Sequence, residues 1–386
     1  MRALVQRYGS PLYVYDAGVI RRQYQTLVRS IAYPDLRIHY ACKANSNIHI
    51  LRILRRLGAG IEVVSRAEAE LAMRAGFSDV LYTCSNVTDD ELRFAVQHHF
   101  MITIDSLGQL ERYGRLNPGG SVSVRINQGI GAGMHQHVIT GGPESKFGIY
   151  HTQVSEILRV AQRHNVHIVG IQQHIGSGIL SPMIFMKAIR ALLRTAREFP
   201  ELEFVDFGGG FGIPYRPDEK PLPMRQLGRQ IARTFARFCR QYGRMLRLVF
   251  EPGRYLVAES GRFLTTVTEI KRTPFHTFVC VDSGFSQFAR PFLYGSYHQI
   301  VNISNPRGRN QKATVAGNIC ESGDVFCRDR MISACRAGDI LEIRNAGAYG
   351  YAMSSDFNGR ERPAEVLVEH GKARLIRGRR RTADNP

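Results

Sequence analysis

No run of apolar residues in this chain is long enough to cross a bilayer, so a helical membrane span is not expected. The first residues, MRALVQRYGSPLYVYD, lack the apolar stretch of a secretion signal, and export is not expected either. Cysteine is sparse and scattered: Cys42, Cys84, Cys239, Cys280, Cys320, Cys327 and Cys335 are the only seven in 386 residues. None falls in a C-x-x-C or Cys/His spacing, so neither a zinc site nor a disulfide framework is expected, and a reducing, cytoplasmic setting is. No internal repeat and no low-complexity stretch is present. Acidic residues are scarce, with 33 against 52 basic ones, which leaves a formal charge of +19. Such a charge raises a nucleic-acid partner as a possibility. The arginines, however, are dispersed through helix-like stretches such as LRILRRLG and RQLGRQIARTFARFCRQYGR, and only RLIRGRRR at 374–381 is a tight cluster. Solvated helix faces are therefore the expectation, and no nucleic acid.

What is present is ordinary globular composition, 44% hydrophobic and 22% charged, arranged in a regular alternation. Short apolar runs read as strands: LRIHYAC (36–42), IEVVS (61–65), VLYTC (80–84), MITIDS (101–106), SVSVRIN (121–127), VHIVGIQQHI (166–175), FVDFGGG (204–210) and LRLVFEPG (246–253). Amphipathic stretches such as IHILRILRRLG, SRAEAELAMRAG and QVSEILRVAQRHN separate them. Eight such units in succession predict an α/β fold, a closed (β/α)8 TIM barrel over residues 20–262. After Gly261 the texture changes to strand-like runs separated by turns: FLTTVTEIKR, TFVCVDSG, KATVAGN, DILEIRNAG and AEVLVEHGKARLIR. A mostly β domain over 263–386 is expected, joined by residues 1–19 because PLYVYD (11–16) also reads as a strand.

Barrels of this kind carry their chemistry where strands end. Those exits deliver Lys43, Ser65, Asp105, Asn127, His174, Gly208 to Gly210, and Glu251. Lys43 lies in HYACKANSN with no carboxylate near it in sequence. A partly dry amine loses its proton readily and condenses with aldehydes, yet a lysine there equally caps a carbonyl. Glycines at a strand exit let backbone N–H groups converge on an anion, and turns need glycine too. Glu251 of EPGR suits a protonated pyridine nitrogen, or one of the many arginines. His174 of QQHIGSG is either a satisfied core histidine or a ring lying against an aromatic cofactor. A Schiff-base lysine, a phosphate cradle and an acid for a ring nitrogen together are what pyridoxal 5'-phosphate asks of a protein.

The chain resembles the fold-type III pyridoxal phosphate decarboxylases of the alanine racemase-like barrel family, and within them the diaminopimelate branch. The likeness rests on nine blocks in order: SPLYVYD, YACKANSNIHILR, TGGPESKFGI, HIGSG, DFGGGFGIPY, EPGRYLVAESG, ARPFLYGSYH, CESGDVF and GAYGYAMSSDFNGRERPAEVLV. The resemblance implies that Lys43 holds the cofactor covalently, that His174 stacks on its ring, and that Ser177 with Gly208, Gly209 and Gly210 holds its phosphate. It places Glu251 at the pyridine nitrogen, with Gly253, Arg254 and Tyr349 beside the cofactor. It implies that Arg254, Arg290 and Tyr294 grip the substrate's far carboxylate, and that Tyr349 reaches the substrate. Cys320, as proton donor alongside Lys43, and Glu321 are implied to enter from the second subunit of a homodimer.

The activity so implied is decarboxylation of meso-2,6-diaminopimelate to L-lysine and CO2, the last step of lysine biosynthesis. Two arginines fork a carboxylate, which ornithine or arginine would not offer at its far end. A related decarboxylase of a siderophore or antibiotic pathway, or of ornithine or arginine type, is the alternative. A non-catalytic basic binding protein is disfavoured because Lys43, Cys320 and Glu251 are all present. The sequence departs from relatives at IEVVS, where many carry an aspartate near Glu62, and at CSNVTDD, which lacks a lysine that some relatives have.

Overall fold

The structure, a computed structural model, describes residues 1–83 and 85–379; Cys84 and the end of the basic cluster at 374–381 lie outside the described residues. It divides into two compact units: residues 21–213 with 220–255, and residues 1–20 with 214–219 and 256–386.

In the first unit all eight expected strands form and every neighbouring pair is parallel. They are Leu36–Ala41, Gly60–Val63, Val80–Thr83, Met101–Ile104, Ser121–Asn127, His167–Gln172, Phe204–Asp206 and Arg247–Phe250. The eighth pairs with the first and the fourth with the fifth, so the ring closes into the expected barrel. Leu81, Val169, Phe204 and Val249 form one apolar cluster although the third strand is not a neighbour of the sixth, seventh or eighth, so they meet through the lumen.

The sequence places the helices as it does because apolar residues recur at helical spacing. In Ile48–Arg56, Ile50, Leu51, Ile53 and Leu54 are buried while Arg52, Arg55 and Arg56 face water. In Met224–Tyr242, Leu227, Ile231, Phe235 and Phe238 are buried, and Arg225, Arg229, Arg233, Arg237 and Arg240 are exposed. Much of the positive charge is thus spread over solvated helix faces. Helix starts are fixed by side-chain caps: Asn47, Ser65, Thr88 and Ser106 each accept a backbone N–H of the first turn. Thr88 and Glu91 form a full capping box.

The second unit is mostly β, as expected, with Leu12–Asp16 inside its sheet. That strand pairs antiparallel with Gly261–Arg272 and parallel with Ala364–Glu369. Leu12 and Val14 pack on Leu264, Ile340, Ala364 and Val366, and Leu4, Val5 and Tyr8 of the helix Arg2–Tyr8 cover this cluster. The helix, and the strands Ile300–Asn302 and Val325–Ser333, are not among the elements read from sequence. Val325–Ser333 is half charged or polar and shows no clean alternation (VFCRDRMIS), which is why the pattern misses it.

Candidate active site

Lys43 sits in a single 3-10 turn, Cys42–Ala44, directly after the first strand. The amides of KANSN build this turn. The Tyr40 hydroxyl donates to the Asn45 carbonyl, Asn45 Oδ1 accepts from the Asn47 N–H, and Asn47 Oδ1 caps the next helix. The carboxylate that Lys43 lacks in sequence arrives from the neighbouring strand. Ala41 is in register with Glu62, and both Glu62 oxygens accept from Lys43 Nζ, at 2.7 and 2.6 Å. The Glu62 side chain is 2% exposed and that of Lys43 is 39% exposed, so the acid is buried beneath an amine that reaches solvent. Burial raises the Glu62 carboxyl to about 7; the Lys43 charge opposes this and Glu251 adds to it.

The glycine run after the seventh strand is a crossing point of three loops. A Cβ on Gly208 would lie 2.3 Å from the Gln173 carbonyl oxygen, on Gly209 2.3 Å from that of Glu251, and on Gly210 2.8 Å from that of Gly176. Gly208 and Gly210 also take φ of +68° and +100°. Only glycine lets the exits of the sixth, seventh and eighth strands close on one another here. Beside them, His174 Nδ1 accepts the Gly209 N–H at 3.1 Å, which puts the ring proton on Nε2. Burial, then the charges of Arg125 and Lys43, hold this imidazole well below its usual range, so it is neutral. Ser177 Oγ accepts from Arg254 Nε and Nη2 at 3.2 and 3.0 Å.

Glu251 directly follows the eighth strand and is 5% exposed. Its oxygens accept from Thr83 Oγ1 at 3.3 Å and from Gln172 Nε2 at 2.9 Å. Gly253 ties this exit to the lysine turn, because a Cβ there would lie 2.9 Å from Ala44 Cβ and 3.1 Å from Ala41 Cβ. The barrel unit therefore gathers Lys43, His174, Ser177, Gly208 to Gly210, Glu251, Gly253 and Arg254 at its C-terminal mouth. An amine on an acid, a neutral imidazole, a convergent glycine cradle and a buried carboxylate fit pyridoxal 5'-phosphate.

The remaining expected residues belong to the β unit. Arg290 and Tyr294 bound the one-turn helix Arg290–Tyr294 and so share a side. Arg290 is buried, with Nε on His298 Nε2 at 3.2 Å, Nη2 on Ser296 Oγ at 3.3 Å, and its guanidinium over the Tyr215 ring. Tyr294 Oη lies 4.0 Å from Met353 Sδ. Tyr349 holds φ +57°, a left-handed conformation that side chains rarely take. Cys320 is exposed and its Sγ accepts from Asn358 Nδ2 at 2.9 Å; Glu321 beside it is exposed as well.

Inward-facing Glu62, Thr83, Gln172 and Asp206, which touch Lys43, Glu251 or the glycine turn, are not among the residues singled out from sequence. Their signal was available: each is a polar residue inside an otherwise apolar barrel strand.

Comparison with known proteins agrees with this geometry. Residues 17–258 match the family model described as pyridoxal-dependent decarboxylase, pyridoxal binding domain. The chain is 44% identical to the diaminopimelate decarboxylase of Methanothermobacter thermautotrophicus over 99% of this chain and 92% of that one. It is similar to a solved diaminopimelate decarboxylase structure at 36% identity and a TM-score of 0.91, covering 98% of this chain and 93% of that one. It is also similar to the Helicobacter pylori diaminopimelate decarboxylase complexed with L-lysine, at 30% identity and a TM-score of 0.91, over 98% and 96% of the two chains. With a family match over most of its barrel and a 44% identical relative along nearly its whole length, the chain belongs to the pyridoxal-dependent decarboxylases.

Proposed function

We propose that this protein decarboxylates meso-2,6-diaminopimelate to L-lysine and CO2 with pyridoxal 5'-phosphate at the mouth of its barrel. The observation that carries the reading is the convergence of Lys43 on Glu62, the Gly208–Gly210 turn and Glu251 within one barrel mouth, in a chain 44% identical to a diaminopimelate decarboxylase. When bound, the cofactor supplies an aldehyde that captures an amine and a ring that takes up the electrons of a cleaving bond.

The protein's own groups then have separate tasks. Lys43 is the amine for that aldehyde. Glu62, in two-point contact with Nζ, is placed to take a proton from the Lys43 amine and to return it. Neutral His174 would lie against the ring without adding charge. The glycine turn and Ser177 would receive the phosphate, and the contact between Arg254 and Ser177 supports a cofactor role for that arginine. Glu251 would keep a proton on the pyridine nitrogen. Arg290 and Tyr294 hold the far carboxylate, Tyr349 lines the substrate side, and Glu321 takes the far ammonium. Cys320 or Lys43 protonates the product carbon.

Cys320 and Glu321 act from a second copy in this reading, which makes the enzyme a homodimer. The apolar surface near them supports it: Phe285 stacks on Phe292 and Phe357, while Phe292, Leu293 and Phe357 are 39%, 45% and 45% exposed. The six described cysteines are free thiols, consistent with a cytoplasmic enzyme.

The test is direct. Purified protein with the cofactor should show a visible absorbance band that borohydride removes and that Lys43→Ala lacks. It should release CO2 and lysine from meso-diaminopimelate far faster than CO2 from ornithine or arginine. Full activity of Arg290→Ala on diaminopimelate would sink the account of substrate choice. Mixing inactive Lys43→Ala and Cys320→Ala chains should restore activity if sites are shared between copies, and no recovery would refute the sharing.

A further inference from the structure

We infer that Asp206 is a positioning residue that carries a proton at neutral pH and donates it to Glu251, so that the two buried carboxyls hold one negative charge between them. The count of donors assigns the proton. Both Glu251 oxygens accept hydrogen bonds, from Thr83 and from Gln172. Asp206 Oδ1 accepts the Gly208 N–H at 2.7 Å, whereas Asp206 Oδ2 is buried and meets no donor. The side chain that Asp206 meets is the Glu251 carboxylate. Two ionised carboxylates offer each other only lone pairs, and such a contact persists only with a proton in it.

The topology forces the pairing. Asp206 is in register with Val249 on the adjoining strand, and Glu251 follows two residues later on the same inward face. Asp206 is 1% exposed. Burial and the Glu251 charge both push the Asp206 carboxyl well above the usual range; the Gly208 N–H opposes them and Glu62 adds to them. The other charged groups of this layer are engaged elsewhere, Lys43 on Glu62 and Arg125 at 3.9 Å from Asp105, and His174 is neutral. The consequence deepens the proposed function: Glu251, held by Thr83, Gln172 and Asp206, keeps a fixed orientation and a single charge for the ring nitrogen.

The test uses the cofactor-free protein, so it can fail while the assigned reaction stands. Infrared difference spectra at neutral pH, wild type minus Asp206→Asn, should contain the carbonyl stretch of an un-ionised carboxylic acid. Wild type minus Glu251→Gln should contain it too, because the introduced carboxamide donates to Asp206 and lets it ionise. A second readout is equilibrium binding of pyridoxal 5'-phosphate. Asp206→Asn keeps a donor in place and should bind within about threefold of wild type, whereas Asp206→Leu should bind about ten- to hundredfold more weakly. Absence of the acid band from both difference spectra, or equal weakening by Asn and Leu, would overturn the inference.

Discussion

At the scale of single residues, the chemistry turns on what burial does to acids. Glu62 is an acid under an amine, and its carboxyl sits near 7 in the folded protein against an ordinary 4.5. Between those two values the unfolded chain gives up its proton while the folded one keeps it. The folded state then binds more protons, so stability falls as pH rises across that window and the penalty is complete above it. Removing this titration should remove its share of the slope. In cofactor-free protein, Glu62→Gln should flatten the dependence of the urea midpoint on pH between about 4.5 and 7 relative to wild type. An unchanged slope would show that Glu62 does not titrate there. The same substitution removes the acid that exchanges protons with Lys43, so the rate at which the lysine amine regains the aldehyde after product release should drop as well, measured by stopped-flow absorbance.

At the scale of elements, the site is made by three backbones that meet where side chains are forbidden. Gly209 is the clearest case, because its φ is unremarkable and space alone decides it: a Cβ would stand 2.3 Å from the Glu251 carbonyl oxygen. Gly209→Ala must push the seventh and eighth strand exits apart, an overpacking cost of about 1–3 kcal/mol. The barrel should still form, since its eight strands pair outside this turn. Cofactor affinity should nevertheless fall about tenfold or more, because the displaced strand exit carries Glu251 with it. Titrating cofactor-free Gly209→Ala with pyridoxal 5'-phosphate and following its circular dichroism would separate the two effects. Wild-type affinity in that variant would mean that the turn yields without moving the site. This element was legible in the sequence as three consecutive glycines at a strand exit, but not the reason for all three. The carbonyls they avoid lie at 173, 176 and 251, on other loops.

At the scale of the whole molecule, the β unit is built from both ends of the chain. Leu12–Asp16 is flanked on both sides by strands from the other end, and Leu12, Tyr13 and Tyr15 are fully buried. Deleting residues 1–16 would open the sheet between Gly261–Arg272 and Ala364–Glu369 and leave two unpaired edges. The truncated protein should expose apolar surface, measured by dye binding, and aggregate, while retention of cooperative unfolding at the wild-type midpoint would contradict this.

The eight barrel strands, the solvated arginine faces of the helices, the β texture after Gly261 and the residues at the strand exits are all written in the local pattern of residues. Each of these follows from local periodicity, which a single stretch of chain carries within itself. The sequence also carried enough ordered motifs to point to the family. Which groups act on one another is set only once the chain has folded. Lys43 meets Glu62 because Ala41 and Glu62 are in parallel register, and Asp206 meets Glu251 because the seventh and eighth strands bring their inward faces together. Those pairings depend on strand register and barrel closure, which no short stretch encodes, and they are what turns an unaccompanied lysine into an amine with an acid beneath it.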